Sequence, residues 1–171
     1  PADTEDRIYK LWEESGFFNP DVCIEKGITS QDAKPYTIIM PPPNANGRLH
    51  VGHGLTFALQ DILTRYHRMN GYKTLWVPGA DHAGFETQVV YERKLEKEER
   101  SRFDLSREDL YREIYDFTME NKAHMENDLR KLGASCDWSR NAFTLDPKTV
   151  TVVQETFHKM FRDGLVYRGK R

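Results

Sequence analysis

The spacing of apolar and polar positions predicts a strand, a helix and a second strand in the first half of the chain. Residues 36–40 (YTIIM) are β-branched and nearly all apolar, which is typical of a strand buried on both faces. A helix is predicted from His53 to Gly71, because apolar residues recur there at steps of three and four. These residues are Leu55, Ala58, Leu59, Ile62, Leu63, Tyr66 and Met69. Residues 73–79 (KTLWVPG) predict the second strand, so this helix should dock on a parallel sheet.

The rest of the pattern is helical. A long surface helix is predicted up to Gly133 from one apolar stripe, which consists of Leu110, Ile114, Phe117, Met125, Leu129 and Leu132. Another helix should begin at Asp146-Pro147. Its residues predicted to face inward are Val150, Val153, Phe157 and Phe161. The predicted fold class is α/β, with a Rossmann-like parallel sheet, flanking helices and a helical segment in a single domain over residues 1–171.

Composition and charge narrow the possible functions. The chain has 171 residues, with 25 Lys and Arg against 27 Asp and Glu, so its formal charge is -2 and any contact with nucleic acid must be local. Cys23 and Cys136 lie far apart without a CxxC partner, which favours reduced, packed thiols in a cytoplasmic protein. No apolar run has the length of a membrane span, so no membrane partner is expected.

The turn after the first predicted strand carries the candidate chemistry. Ligands of open α/β sheets bind beyond the carboxyl ends of the strands, where this turn should lie. Prolines 41–43 fix the exit path, and Gly52 removes a side chain where a flat ring would approach the backbone. His50 and His53 stand about one helical turn apart at a predicted helix start, so both imidazoles can point at one anion. The turn therefore suits a nucleotide triphosphate.

Two other classes of function fit some of the same residues. A zinc-dependent hydrolase could use His50 and His53 with Asp81 or His82, since a histidine pair at this spacing can chelate. A non-catalytic nucleotide-binding module could use the same turn without any reaction. Both alternatives stay open from the residues alone. HVGH by itself could also be a capped helix with two surface histidines, but the order of the motifs weighs against that interpretation, because a buried strand, PPPN, HVGH and a second strand ending in GADHAG occur together.

Four segments carry a family resemblance that covers nearly the whole chain: PPPNANGRLHVGHG, GYKTLWVPGADHAGFETQ, LGASCDWSRNAFTLD and LVYRGKR. They resemble the N-terminal half of the catalytic domain of class I aminoacyl-tRNA synthetases, most closely the valyl family. PPPN and DHAG favour valine within that group. The stretch NANG departs from the valyl pattern, which usually has Thr before the glycine, and is partly isoleucyl-like. An isoleucyl- or leucyl-type member is therefore the alternative.

The resemblance implies roles for particular residues. His50 and His53 fall on the family's His-Ile-Gly-His signature, which implies that they contact ATP phosphates and stabilise the transition state of adenylation. The implied ATP-binding set is His50, Gly52, His53 and Asn44. Asp81 matches the position that receives the α-ammonium of valine, aided by the Pro42 carbonyl and the Asn44 side chain. From the residues alone, Asp81 could instead cap the following helix.

The resemblance also implies a reaction and its partners. Valine would attack the α-phosphorus of ATP, with Mg²⁺ assisting, and the aminoacyl group would pass to tRNA(Val). The family's Lys-Met-Ser-Lys-Ser loop does not occur in these residues. An editing insertion and an anticodon-binding domain are not recognisable either. We therefore expect a fragment that binds ATP weakly and is weakly active or inactive alone.

Overall fold

The order of helices and strands follows the predicted alternation. The computed structural model describes residues 2–170, and side chains from residue 4 onward. The elements are α1 (Ala2–Ser15), α2 (Pro20–Glu25), β1 (Pro35–Ile39), α3 (Val51–Met69), β2 (Lys73–Val77), β3 (Gly79–Ala80), α4 (Phe85–Lys97), α5 (Arg107–Leu132), β4 (Ala142–Phe143) and α6 (Pro147–Arg162).

Parallel strand pairs form the centre of the fold. β1 pairs with β2 in parallel, from Pro35 opposite Lys73 to Ile39 opposite Val77, and α3 connects them. The short strands β3 and β4 also pair in parallel. This arrangement confirms the predicted α/β class, with parallel strands and flanking helices. The loops that leave β1 and β2 meet at one edge of the sheet, because parallel strands end on the same side.

Two small clusters of apolar side chains hold these elements together. The first lies between the β1–β2 pair, α3 and the end of α5, and it consists of Met40, Phe57, Trp76, Leu129, Ala134 and Cys136. The second lies under the β3–β4 pair and consists of Ala45, Ala80, Met125 and Phe143. Cys23 and Cys136 are both buried and unpaired, in agreement with the expectation of packed thiols. Among the described residues, none of the helices combines the length and apolar character that crossing a membrane requires.

The prediction that the first strand is buried on both faces is wrong. Residues along β1 alternate between exposed and half-buried, and Ile39 is 75% exposed. The apolar run does not become a core strand here because β1 has a strand partner, β2, on one edge only within the described residues. Met40, just past the strand, is the residue of this run that is fully buried.

The apolar stripe predicted to dock α3 on the sheet does not do so. Its large members Leu55, Leu59, Ile62, Leu63, Tyr66 and Met69 are exposed. α3 instead buries Phe57 and Thr64, and the Gln60 side chain accepts a hydrogen bond from Trp76 Nε1 at 2.9 Å. Periodicity located the helix but could not tell which face meets the sheet, since the docking face mixes apolar and polar residues.

The inward face predicted for the last helix is also wrong. α6 begins at Pro147 as expected, but it has no buried residue, and Val153, Phe157 and Phe161 are exposed. Val150 is half-buried. An amphipathic pattern defines an apolar face without specifying what covers it. No element within the described residues covers this face.

Candidate functional site

A cleft of about 550 Å³ opens where the loop after β1 meets the start of α3. Its lining residues are Pro41, Pro42, Pro43, Asn44, Asn46, Gly47, Arg48, Leu49, His50, His53, Thr56, Phe57 and Glu86. This is the turn that the sequence singled out, and it lies beyond the carboxyl end of β1 as expected for an α/β sheet.

Backbone hydrogen bonds join the proline loop to the loop after β2. Asp81 N–H donates to Pro43 O at 2.9 Å, and Ala45 N–H donates to Asp81 O at 2.7 Å. These bonds form a parallel bridge between Asn44 and Asp81. Because prolines 41–43 lack N–H donors, the loop pairs through the Pro43 carbonyl before the Ala45 N–H donates to Asp81 O. The bridge therefore places Asn44 beside Asp81.

The side chains of His50 and His53 accept backbone N–H groups at the start of α3. His50 is the N-cap, and its Nδ1 accepts from Gly52 N–H at 3.1 Å. His53 Nδ1 accepts from His50 N–H at 3.3 Å, which completes a reciprocal capping box. The two rings lie 3.9 Å apart between centroids. A histidine pair thus replaces the Ser and Glu usually found in such a cap.

This capping fixes which ring nitrogens carry hydrogen. Since each Nδ1 accepts a backbone N–H bond, it must present a lone pair, and the single hydrogen of each neutral ring lies on Nε2. Both imidazoles line the cleft, so two Nε2–H donors are available there beside the positive end of α3. Partial burial, reinforced by the neighbouring His50 ring, lowers the pKa of His53 below its ordinary value, which favours the neutral, capping form.

Gly52 allows a close approach, but to a histidine of this chain. A Cβ at Gly52 would lie 2.9 Å from His50 Cε1, a distance that forces the ring to move. The residue does not line the cleft itself. The space beside Gly52 is occupied by the His50 imidazole, and a contact between Gly52 and ATP stays a prediction.

Acidic and amide groups also line the cleft, and together with Asp81 they are called its acceptor end, whereas His50 and His53 are called its donor end. Asn44 Nδ2 donates to Glu86 Oε2 at 3.0 Å, which leaves Asn44 Oδ1 free as an acceptor. Glu86 lies in the first turn of α4 and lines the cleft. Asp81 is not among the lining residues but borders them through its bridge to Asn44. The cleft therefore has a donor end at the histidines and an acceptor end at Asn44, Glu86 and Asp81.

The Asp81 side chain closes a turn and does not cap a helix. Its Oδ1 accepts from Ala83 N–H at 2.9 Å and contacts Thr144 Oγ1 at 3.2 Å. The N-cap of α4 is Gly84, which has no side-chain cap. His82 Nδ1 lies 2.5 Å from Thr144 Oγ1, so the His82 ring contacts the residue that follows β4.

Three residues of this region were missed by sequence reasoning: Arg48, Glu86 and Thr144. Arg48 lines the cleft but forms a two-bond ion pair with Asp128, with NH2 to Oδ1 at 2.8 Å. Glu86 and Thr144 meet the predicted residues only through tertiary contacts. No spacing signal could have found them, although Glu86 and Thr144 lie within two of the segments that carry the family resemblance.

The zinc alternative requires side chains that are arranged to bind a metal ion. The part of the chain that the structure describes contains no group of three or more His, Cys, Asp or Glu side chains arranged to hold a metal ion. In addition, the Nδ1 atoms of His50 and His53 are already engaged by backbone N–H groups. The zinc-hydrolase alternative therefore finds no donor set among these residues.

The profile of the class I tRNA synthetases (I, L, M and V) matches residues 7–171. The chain belongs to this family. It is a family of ligases that act in protein biosynthesis. The site described above lies within the matched residues.

Curated relatives agree with the family. The chain is 46% identical over 171 residues to Valine--tRNA ligase of Psychrobacter arcticus, covering 100% of this chain and 17% of that protein. It is 44% identical over 171 residues to Valine--tRNA ligase of Clostridium acetobutylicum, again over 100% of this chain and 19% of that protein. The chain thus spans about a fifth of the length of these relatives.

A solved structure supports the fold. The ternary complex of Agrobacterium radiobacter K84 agnB2 LeuRS-tRNA-LeuAMS matches with a TM-score of 0.64 and 24% identity, over 91% of this chain and 18% of that chain. This similarity shows the fold of a class I synthetase.

Proposed function

We propose that this chain carries the ATP- and amino-acid-binding first half of an enzyme that activates valine and transfers it to tRNA(Val). The observation that supports this most directly is the polarity of the cleft, with hydrogen-bond donors at one end and acceptors at the other. The identity to valine--tRNA ligases over the whole chain favours valine over isoleucine or leucine.

The donor end suits the phosphates of ATP. His50 and His53 would direct Nε2–H groups at phosphoryl oxygens, next to the positive end of α3. Asn44 and the Gly52 turn would complete the ATP-binding set. Mg²⁺ would arrive with ATP, held by its phosphates, and would offset their charge. The chain's own contribution is to fix the donors in advance, because the capping bonds already orient both rings.

The acceptor end suits the amino acid. A free amino acid carries an ammonium that needs oxygen acceptors, and charge-assisted bonds to carboxylates are the strong ones. Asp81, the Pro42 carbonyl and Asn44 Oδ1 would receive it, with the Glu86 carboxylate adding negative charge nearby. The valine carboxylate would then face the α-phosphorus, and pyrophosphate would leave. Positioning two anions in this way provides most of the catalysis asked of the protein.

Binding measurements with the purified chain test the proposal. A non-hydrolysable valyl-adenylate analogue should bind much more tightly than ATP alone, since it occupies both ends of the cleft. The isoleucyl, leucyl and threonyl analogues should bind more weakly than the valyl compound. A preference for the isoleucyl or leucyl analogue would overturn the choice of valine. Equal affinity for ATP and all four analogues would indicate a nucleotide-binding module instead.

The second measurement concerns activity. We expect the chain alone to show weak or no valine-dependent pyrophosphate exchange and no charging of tRNA(Val). Turnover at the level of a complete synthetase would contradict this expectation. The reaction is proposed to take place in the cytoplasm, where the unpaired buried cysteines would remain reduced.

A further inference from the structure

We propose that Thr144 is a positioning residue that orients the Asp81 carboxylate for the ammonium of the amino acid. The proposal rests on the function proposed above, because it assigns Asp81 to the amine. Thr144 acts through Asp81 and does not line the cleft.

The sheet brings Thr144 to Asp81 from a distant part of the chain. Thr144 follows β4, which pairs in parallel with β3, and Asp81 follows β3. Thr144 N–H donates to Ala80 O at 3.3 Å and continues this pairing. The two residues are 63 positions apart in sequence, yet the Thr144 hydroxyl lies 3.2 Å from Asp81 Oδ1.

One hydroxyl makes three contacts in this loop. Thr144 Oγ1 accepts from His82 N–H at 2.9 Å, lies 2.5 Å from His82 Nδ1 and 3.2 Å from Asp81 Oδ1. A hydroxyl has one hydrogen to donate, and an ionised carboxylate can only accept. In the proposed network the hydroxyl hydrogen is directed to Asp81, and His82 Nδ1 then carries a hydrogen and donates to Thr144.

These contacts leave the two carboxylate oxygens of Asp81 with different hydrogen bonding. Oδ1 is fixed by Ala83 N–H and Thr144 Oγ1, at 2.9 and 3.2 Å. Oδ2 has no hydrogen-bond partner among residues 2–170, and the side chain is 38% exposed. With one oxygen held, the carboxylate plane is set, and Oδ2 is the oxygen available to an ammonium beside Asn44.

Two substitutions separate positioning from packing. Thr144→Val keeps the shape and removes the hydroxyl, whereas Thr144→Ser keeps the hydroxyl and removes a methyl. We expect Thr144→Val to weaken valine binding about tenfold. ATP binding should change by less than about twofold, because the histidine end does not depend on this loop. Thr144→Ser should restore valine binding to near the wild-type value.

A matched control is available on α6. The exposed Thr156 donates its hydroxyl hydrogen to Val152 O at 2.7 Å within its own helix, and it does not line the cleft. Thr156→Val should therefore leave both affinities unchanged. Unchanged valine affinity in Thr144→Val would overturn the positioning role. Equal losses of valine and ATP affinity would also overturn it, since they indicate that the loop has collapsed.

A measurement without ligand distinguishes this proposal from the proposed function. If the wild-type chain binds neither valine nor the valyl-adenylate analogue, the proposed function fails. The hydrogen-bond network of Thr144, Asp81 and His82 is then tested by ¹⁵N NMR of the His82 ring. Nδ1 should carry a hydrogen in the wild type and in Thr144→Ser. In Thr144→Val, the His82 amide should exchange faster with solvent. A bare Nδ1 in the wild type, or unchanged amide exchange in Thr144→Val, would overturn the network itself.

Discussion

The two ends of the cleft are built in different ways. At the histidine end, the contacts that orient the rings join residues close in sequence, such as His50 with Gly52 and His50 with His53. At the carboxylate end, Asn44 meets Glu86 across 42 residues and Asp81 meets Thr144 across 63. One end is set by how a helix begins, and the other depends on strand pairing. Changes in the strand-pairing region should therefore affect the amino acid more than ATP.

The largest effect is expected where the histidine end meets the core. The Phe57 ring is 1% exposed and lies nearly parallel to His53 at 6.1 Å. Phe57→Ala should lower the free energy of unfolding by about 3–5 kcal/mol, because it leaves a cavity under α3. Leu59→Ala on the same helix is the control, since Leu59 is 55% exposed and should change stability by less than about 0.5 kcal/mol.

Denaturant titration of the two variants measures both values. Equal losses of stability would mean that the exposed face of α3 is covered in solution. In that case, the contrast between the packed and unpacked faces of this helix would be wrong.

The second prediction concerns the imidazole donors at the histidine end. His53→Ala should lower any valine-dependent pyrophosphate exchange about a hundredfold, since it removes one positioned donor to the phosphates. The loss of one capping bond should cost only about 0.5–1 kcal/mol of stability. Exchange rates and thermal unfolding of the same preparation give both numbers. His124→Ala on α5 is the control, because His124 lies outside the cleft. A large fall in melting temperature would show that His53 is a structural residue.

The third prediction addresses the carboxylate end. Asp81→Asn should weaken valine binding about tenfold, because it removes the charge that pairs with the ammonium. Isothermal titration with valine and with ATP measures both affinities. ATP binding should change less, since Asp81 does not line the part of the cleft assigned to phosphates. Equal losses for the two ligands would contradict the separation of the two ends.

The smallest expected effect has opposite signs for the affinities of the two ligands. Glu86→Gln keeps the side-chain shape but removes a negative charge from the cleft. Valine affinity should fall and ATP affinity should rise, each by about two- to fivefold, since exposed charges interact weakly. Glu96→Gln provides the control, because Glu96 is an exposed acid on the same helix outside the cleft. Affinity changes of the same sign for both ligands would show that Glu86 does not help the acceptor end to discriminate between valine and ATP.

The difference between the two ends also explains which features could be predicted from the sequence and which could not. The start of α3 at residues 50–53 was predictable, because capping and helix periodicity are local. The meeting of Asn44 with Asp81 was predictable too, since parallel strands end at the same edge of a sheet. Glu86 and Thr144 were not, because nothing near them in sequence indicates which loop they contact. The exposed faces of α3 and α6 were misassigned, since periodicity does not identify a partner.

Chemical-shift mapping by NMR tests the central claim most directly. ATP added to the chain should shift the signals of His50, Gly52 and His53, whereas valine should shift those of Asp81 and Ala83. Asn44 is assigned to both ligands and therefore belongs to neither set. A valyl-adenylate analogue should shift both sets together. The account would be contradicted if ATP and valine both perturbed the same one of these two sets, or if both perturbed a surface away from this cleft.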